Sequence, residues 1–279
     1  MMLSCLILSL MLAGAASGSN VEKRILGGSS CKTEGKHHVK VSWEDGQSPC
    51  GASLLNSDWV LTAARCGNRN LEVTFAAEGL KASFFSLFGS NVQKIDVKQQ
   101  YPYGKEHDIM LIKLNEAVKA KYAIELPHGE ASPEEAAPEE AADEEAAPEE
   151  AADEEAAQGV STAPVKQCTG PSLHQTVQIG GWGNDGGKKN NPKHRCAKTK
   201  ITKCAAKDKK GGEHATTLMC AHSAGVKSCE GDAGSAMVYD NKLYGIIVNK
   251  RKNDCTNVPE ILDICFYLDW ITKTMRENP

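Results

Sequence analysis

The 279-residue chain lacks a long apolar run beyond its first residues, and no later segment could span a bilayer as a helix. It also lacks an Asn-X-Ser/Thr acceptor for N-linked glycosylation, and no pair of histidines stands in a zinc motif. Aromatic residues make up only 5% of the chain and do not interleave with its basic residues. We therefore expect no transmembrane anchor, no metal or other cofactor, and no specific nucleic-acid partner.

The apolar stretch that does occur lies at the start of the chain. Residues 1–16 carry no charge and end in small residues, which is typical of a secretory signal peptide, although the usual basic residues are absent. A transmembrane helix is the alternative, but the run is too short. We expect a signal peptide over residues 1–16, a short propeptide over 17–24, and a secreted, extracellular protein. Of the 11 cysteines, Cys5 would leave with the signal, so an even number would remain in an oxidising compartment.

Basic residues are absent from residues 133–157, which read as five pentapeptides, PEEAA or DEEAA. These pentapeptides contain 12 of the 36 acidic residues. The rest of the chain therefore has 24 acidic residues and 32 Lys and Arg, an excess of about 8 positive charges. High charge and low hydrophobicity, with prolines at 133, 138 and 148, predict a disordered or partly helical segment without a packed core. Its role stays open between cation binding, solubility and competition for the basic surface of the same chain.

The rest of the chain shows short β-type runs separated by glycine and polar turns. Examples are Val39–Trp43, Leu71–Phe75, Ile109–Ile112 and Leu243–Val248. Many short strands with turn signals predict a sandwich or barrel. Only Phe266–Arg276 has the pattern of an amphipathic helix.

Three stretches resemble the trypsin-like serine proteases. Residues 229–234 read Cys-Glu-Gly-Asp-Ala-Gly, residues 61–66 read Leu-Thr-Ala-Ala-Arg-Cys, and residues 25–28 read Ile-Leu-Gly-Gly. They resemble the family's nucleophile loop Gly-Asp-Ser-Gly, its base segment Leu-Thr-Ala-Ala-His-Cys and its mature N-terminus Ile-Val-Gly-Gly. The resemblance covers roughly Ile25 to the C-terminus, except for the acidic repeat.

The resemblance implies an all-β fold of two six-stranded antiparallel β-barrels followed by a C-terminal helix. Residues 25–127 would form the N-terminal barrel, and residues 165–279 the second barrel with the helix. Residues 128–164 would be an acidic insert in the connector between the barrels, on the face away from the cleft.

The family's spacing also implies a disulfide framework for the ten mature cysteines. The pairs would be Cys31–Cys196, Cys50–Cys66, Cys168–Cys265, Cys204–Cys220 and Cys229–Cys255. A vertebrate trypsin has one more bridge, and both of its positions are replaced together here, by Val177 and Tyr239.

Two of the three catalytic positions implied by the resemblance hold the wrong side chain for catalysis. Serine-protease chemistry needs a hydroxyl nucleophile, a base that takes its proton, and an acid that orients the base. Asp108 matches the orienting acid, but Arg65 stands at the base position and Ala233 at the nucleophile position. Because arginine stays protonated, we expect Arg65 to form a structural ion pair with Asp108.

Other features of the site are partly kept and partly lost. The backbone amides of Gly231 and Ala233 would still form an oxyanion hole. Lys227 stands at the base of the specificity pocket, and Lys250 and Pro259 replace small wall residues, which predicts a filled or closed pocket.

Two further side chains near the site are poor substitutes for the missing groups. Ser235 would point away from the cleft, and His107 would be an ordinary surface histidine, facing away from Asp108.

The activation switch of the family is kept in sequence. Cleavage after Arg24 would free the amine of Ile25, which would insert beside Asp232. Such a buried ion pair orders the surrounding loops, and loss of one partner costs roughly 3–5 kcal/mol. Whether the switch still operates or is inherited without use stays open.

Basic residues crowd the second half of the chain. They are Lys188, Lys189, Lys193, Arg195, Lys198, Lys200, Lys203, Lys207, Lys209, Lys210, Lys250, Arg251 and Lys252. This basic patch is either a solvated face or a surface for sulfated polysaccharide, anionic lipid or a microbial surface. Azurocidin-like members of the family are inactive and use such a patch.

The sequence predicts a secreted, inactive homologue of the trypsin-like proteases that acts by binding a protein ligand not identified by sequence or an anionic surface. One alternative is a trypsin-like endopeptidase with atypical chemistry. The other is an azurocidin-like defence protein that binds heparin-like polysaccharide or microbial surfaces.

Overall fold

The computed structural model describes residues 25, 27–31, 35–46, 50–75, 92–127, 168–182, 194–204, 217–229, 231–248 and 258–279. The strands within these ranges are Ser29–Ser30 (β1), His38–Trp43 (β2), Cys50–Leu54 (β3), Trp59–Thr62 (β4), Leu71–Phe75 (β5), Val92–Ile95 (β6), Gln100–Pro102 (β7), Met110–Lys113 (β8), Thr176–Gly181 (β9), Arg195–Thr202 (β10), Leu218–His222 (β11), Ala236–Tyr239 (β12), Lys242–Ile247 (β13) and Glu260–Asp263 (β14). One α-helix, Ile264–Glu277 (α1), follows them. The signal peptide, the propeptide and the acidic insert expected from the sequence lie outside the described residues, so these boundaries stay predictions.

The N-terminal strands form one antiparallel sheet in the order β6-β5-β2-β3-β4-β8-β7. Alternation places the apolar side chains of β5 inside, so Leu71, Val73 and Phe75 are buried while Glu72 and Thr74 are half-buried. The sheet curls into a half-barrel, and in the described residues no strand pairing joins its edges β6 and β7. Those edges are consecutive in the chain. Side-chain hydrogen bonds link this part of the sheet, since the Gln93 side chain on β6 bonds to the backbone of Asn115 and Glu116, just after β8.

The C-terminal strands form a closed six-stranded barrel. Its order is β10-β11-β14-β13-β12-β9, and pairing of β10 with β9 closes it, while β1 adds to the outside of β10. The prediction of an all-β trypsin-like fold with a terminal helix is therefore confirmed. The closed barrel is the second of the two, and the first is a curled half-barrel.

Helix α1 packs against both sheets. Its start is capped by Asp263, whose carboxylate accepts a hydrogen bond of 2.9 Å from the amide of Cys265. Its buried residues Ile264, Tyr267 and Ile271 follow the helical period and share one core cluster with Leu111 of the first sheet and Leu243 of the second. This shared core stabilises the junction of the two sheets, where the candidate site lies.

Four of the five expected disulfides are formed in the structure: Cys31–Cys196, Cys50–Cys66, Cys168–Cys265 and Cys204–Cys220. Cys229 is also disulfide-bonded, and its expected partner, Cys255, lies outside the described residues. Each bridge is expected to stabilise the fold by about 2–4 kcal/mol.

Three imidazoles form a buried stack beside the Cys31–Cys196 bridge. The ring centres of His37 and His38 are 4.2 Å apart, and those of His38 and His194 are 3.9 Å apart. His38 is fully buried, and neither of its ring nitrogens has a hydrogen-bond partner within the described part of the chain. Burial lowers the pKa of His37 to about 4 and that of His194 to about 3, and it lowers the pKa of His38 well below its ordinary value.

Acidification is expected to destabilise the fold through this stack. The pKa of His37 and of His194 is lower in the folded chain than in the unfolded chain, where it is about 6.5. The unfolded chain therefore binds protons first, and stability that is fully present above about pH 7 is lost as the pH falls toward the folded pKa values. Between pH 7 and pH 5 each of the two residues should lower the free energy of unfolding by roughly 2 kcal/mol.

Urea denaturation at the two pH values checks this prediction. His37→Gln should reduce the difference between pH 7 and pH 5 by roughly 2 kcal/mol. His222→Gln, at an exposed histidine, is the matched control and should leave the difference unchanged. Equal effects of the two substitutions would contradict the assignment.

Candidate functional site

The loop that resembles a nucleophile loop crosses from the second barrel to the first sheet. Its backbone turns at Gly231 and Gly234, whose φ angles of 94° and 80° lie in the left-handed region that favours glycine. A Cβ on Gly234 would overlap the carbonyl oxygen of Gly51 and the hydroxyl of Thr62. The amide of Gly51 donates to the carbonyl of Ala233 at 2.8 Å, so this contact fixes the loop against β3.

Arg65 lies on a short 3-10 turn, Ala64–Cys66, directly after β4. The Cys50–Cys66 bridge ties this turn to β3. Asp108 comes two residues before β8, which pairs with β4, so strand pairing brings the two residues together. The expected ion pair between Arg65 and Asp108 is therefore present in the structure.

The contacts of Arg65 use both oxygens of the Asp108 carboxylate. The backbone amide of Arg65 donates to Oδ1 at 2.9 Å, and its Nε donates to Oδ2 at 2.6 Å. Its Nη2 forms an ion pair with Oδ2 and also donates to the carbonyl oxygen of Val248 at 2.9 Å. The carboxylate thus binds a cation that has no site to accept a proton, and the guanidinium links the first sheet to the end of β13.

Ala233 is half-buried in this loop and packs against the core of the first sheet. A methyl group cannot attack a carbonyl carbon. The amides of Gly231 and Ala233 take part in no backbone hydrogen bond within the described residues, as the oxyanion hole of the resemblance would require. The oxyanion hole at these two amides stays a prediction.

Two other side chains near the site are at least partly buried. Ser235 is fully buried, and its hydroxyl lies against Gly51 in the interior. His107 is half-buried, and its Nδ1 lies 2.8 Å from the hydroxyl of Tyr267 on α1. The expectation that His107 is a surface histidine is therefore wrong, because aromatic rings of α1 and Tyr103 surround it.

Ile25 and Asp232 lie close together in the interior, as the resemblance implies. Ile25 is 1% exposed and Asp232 is fully buried. One carboxylate oxygen of Asp232, Oδ2, accepts a hydrogen bond of 2.7 Å from the amide of Cys229. A Cβ on Gly181 would overlap the other oxygen, Oδ1, and would lie 2.8 Å from Cγ1 of Ile25, so only glycine fits there. Arg24 lies outside the described residues.

The pocket positions are partly described. Lys227 is half-buried, two residues before the disulfide-bonded Cys229. Pro259 is buried, and its carbonyl accepts a hydrogen bond of 3.1 Å from the amide of Ala221. Lys250 lies outside the described residues, so the closed pocket stays a prediction.

The basic patch divides into two kinds of side chain. Lys198, Lys200 and Lys203 are exposed along and just after β10. Arg195 is half-buried and donates to the carbonyl oxygen of Gly28 through Nη2 at 2.6 Å and through Nε at 3.2 Å. Its role is structural, because its guanidinium ties the N-terminal segment to the barrel. The other members, Lys188, Lys189, Lys193, Lys207, Lys209, Lys210, Lys250, Arg251 and Lys252, lie outside the described residues.

Within the described residues, one group of side chains is close enough to hold a metal ion. It consists of Cys31, Cys196 and His194, whose Nε2 lies 3.7 Å from the sulfur of Cys31. The two sulfurs are joined in a disulfide, so they offer no thiolate ligands in this state. In the part of the chain that the structure describes, no helix reaches the length and apolarity of a membrane span.

Comparison with known proteins identifies a family. The family model described as "Trypsin" matches residues 25–141 and 150–271. The chain is 26% identical to Trypsin-1 of Salmo salar, over 95% of this chain and 96% of that protein. It is 26% identical to Kallikrein-8 of Homo sapiens, over 95% of this chain and 92% of that protein. It is 27% identical to Trypsin-4 of Rattus norvegicus, over 95% of this chain and 96% of that protein.

The Arg65–Asp108 pair should contribute measurably to stability. Its side chains are 32% and 20% exposed, and the pair is partly shielded from solvent. A double-mutant cycle with Arg65→Gln and Asp108→Asn should give a coupling of about 1 kcal/mol in the free energy of unfolding. The matched control is the ion pair between Lys94 and Glu44, in which Nζ lies 3.6 Å from Oε1. The side chains of Lys94 and Glu44 are 73% and 42% exposed. Coupling no larger at Arg65–Asp108 than at this control would show that the pair is energetically silent.

Proposed function

The chain belongs to the trypsin family, and we propose that it is a secreted, catalytically inactive member that acts by binding rather than by proteolysis. The observation that carries the proposal is the double contact of Arg65 with Asp108 and Val248, beside a loop in which Ala233 stands at the nucleophile position.

The magnitude of the expected loss supports this function. In subtilisin, an unrelated protease that uses the same three catalytic groups, loss of the nucleophile or the base alone lowers turnover on the order of a millionfold. The backbone amides of an oxyanion hole give only a residual rate over water. A chain that has Arg65 and Ala233 at these positions therefore has no route to efficient proteolysis by this mechanism.

The alternative of an endopeptidase with atypical chemistry finds little support near the site. It would need another nucleophile and another base within reach of one substrate carbonyl. Ser235 is buried against Gly51, and His107 lies against Tyr267 of α1. Neither side chain lies in the position from which it could replace the missing group.

Secretion is part of the proposal. Four disulfides are present in the described residues, and stable disulfides are typical of oxidising compartments. The apolar residues 1–16 would supply the signal. The proximity of Ile25 to Asp232 fits a chain that is cut after Arg24 and ordered by the new terminus, as in active members.

Restoration of the two missing groups tests the proposed inactivity. The wild-type chain, with the Arg24–Ile25 bond intact or cut, should not react with a serine-directed phosphonate and should not hydrolyse amide or ester substrates. Arg65→His combined with Ala233→Ser should react in the cut form, because it restores the base and the nucleophile next to Asp108. The single variant Ala233→Ser is the control, and it should react far more slowly because Arg65 cannot take the proton.

Mass spectrometry of the labelled protein measures the outcome. Stoichiometric labelling of the wild-type chain would overturn the proposal. Labelling of the double variant alone would show that the site is accessible and that only its chemical groups are missing.

A second candidate function is binding to anionic polysaccharide or an anionic surface, as in azurocidin-like members of the family. Lys198 and Lys200 favour it, because both are exposed and lie on one face of β10, two residues apart. A row of cations on a rigid strand attracts a polyanion in a salt-dependent manner.

Heparin affinity chromatography tests this second candidate. The double variant Lys198→Glu, Lys200→Glu should elute at clearly lower salt than the wild-type chain. The control variant Lys94→Glu, Lys98→Glu makes the same change of net charge on β6 and on the turn that follows it, at side chains 73% and 80% exposed. It should elute close to the wild type. Equal shifts for both variants would mean that net charge, not this strand, determines retention.

A further inference from the structure

A groove of about 390 Å³ opens on the surface between the first sheet and the second barrel. Val177 and Tyr239 line it, the two residues at the positions where a vertebrate trypsin has an additional disulfide. Its polar wall comes from Thr176, Gln178 and the turn residue Asn241. The groove wall therefore combines apolar side chains with several hydrogen-bonding groups.

Four lysines lie in the groove wall or next to residues that form it. Lys198 lines the groove, and Lys200 is paired across the strands with the wall residue Thr176. Lys36 and Lys121, both exposed, adjoin the wall segments at His37 and Ala123 and lie 5.7 and 4.9 Å from the centre of the Tyr122 ring. We call these four lysines the lysine rim.

Two acidic residues lie near the rim. Asp240 is part of the groove wall, and Glu125 is exposed where the connector pairs with Lys242 of β13. Four rim lysines against these two acids leave an excess of positive charge at the groove. An occupant of the rim is therefore expected to be acidic.

The acidic repeat is the polyanion nearest to this groove along the chain. Ala123 and Ile124 form part of the groove wall, and the described part of the connector ends at Pro127. The first glutamate of the repeat, Glu134, follows Ile124 by ten residues, a reach of up to about 35 Å. Attachment through the connector gives the repeat a local concentration on the order of millimolar at the rim.

From this charge complementarity and connectivity, we infer that residues 133–157 dock on the lysine rim of the same chain. In this arrangement the glutamates contact Lys36, Lys121, Lys198 and Lys200. The repeat thereby occupies the face that the body would otherwise present to external polyanions. This inference concerns a contact within the chain and does not depend on catalytic inactivity.

Binding of the repeat in trans tests the inference with full-length protein. The neutral-repeat variant changes all ten Glu and two Asp of residues 133–157 to Gln and Asn and keeps the length of the chain. A fluorescent synthetic peptide of residues 133–157 is the probe, and its anisotropy is measured at low and at physiological salt. The neutral-repeat variant should bind the peptide at least tenfold more tightly than the wild-type chain, whose rim is already occupied.

Two further substitutions in the neutral-repeat background locate the docking surface. Lys198→Glu, Lys200→Glu should weaken peptide binding at least tenfold, whereas the charge-matched control Lys94→Glu, Lys98→Glu should leave it within about twofold. Equal peptide affinity of wild-type and neutral-repeat chains would overturn the inference. So would binding that both double variants weaken equally, because docking would then have no preference for the rim.

A parallel measurement of heparin binding distinguishes docking of the chain's own repeat from binding of an external polyanion. If the neutral-repeat variant gains affinity for heparin but none for the peptide, the rim takes external polyanions and the inferred contact is wrong. That result would leave the proposed binding function intact. Phosphonate labelling of the wild-type chain, in contrast, would overturn the inactivity and leave this contact untouched.

Discussion

The hydrogen bond from the amide of Gly51 to the carbonyl of Ala233 joins the two halves of the molecule at its centre. The donor belongs to the first sheet and the acceptor to a loop of the second barrel, and Gly234 allows the close approach because it has no side chain. Within the second barrel, the amide of Gly234 also donates to the carbonyl of Ile247 at 2.8 Å, so the loop is fixed on both sides. It requires only backbone atoms and glycine, so it is insensitive to the side chain at residue 233. A change from a hydroxyl to a methyl group at that point therefore leaves the architecture of the loop in place.

Arg65 joins Asp108 to the far side of the junction through hydrogen bonds and an ion pair. In an active enzyme of this mechanism, the orienting acid holds a neutral base that must be able to gain and lose a proton. Here Asp108 binds a permanent cation through both oxygens, and the same guanidinium reaches Val248 across the junction. The side chain therefore adds a cross-link between the sheets where a catalytic group would need freedom to exchange protons. At this position an arginine gives a fixed contact across the junction, whereas a proton-transferring base would have to gain and lose a proton.

Local pattern and family resemblance predicted most of the framework, and contacts between distant residues account for what they missed. Alternation indicated β5, and helical period indicated α1, because both signals lie within a few residues. The stack of His38 on His194 joins residues 156 positions apart, and no local signal marks it. The sequence also did not predict the hydrogen bond from Arg195 to the carbonyl of Gly28, because an arginine in a lysine-rich stretch is expected to be solvated. The prediction that His107 lies on the surface was wrong because α1 packs over this segment, and no local pattern in the sequence indicates that contact.

Val177 and Tyr239 stand at the positions where a vertebrate trypsin has a further disulfide, and both line the surface groove. A disulfide constrains the unfolded chain, whereas here Val177 packs in the barrel core and Tyr239 is half-buried in the groove wall. The hydroxyl of Tyr239 is held by the side chain of Gln175 at 2.7 Å, so the ring has a fixed place in the wall. The lost bridge would join β9 to β12, which remain paired through Met237 and Ile179, so the barrel keeps its closure without it. The fold thus tolerates the loss of a covalent constraint at a point where strand pairing already holds the backbone, and the surface there becomes available for contacts with other groups.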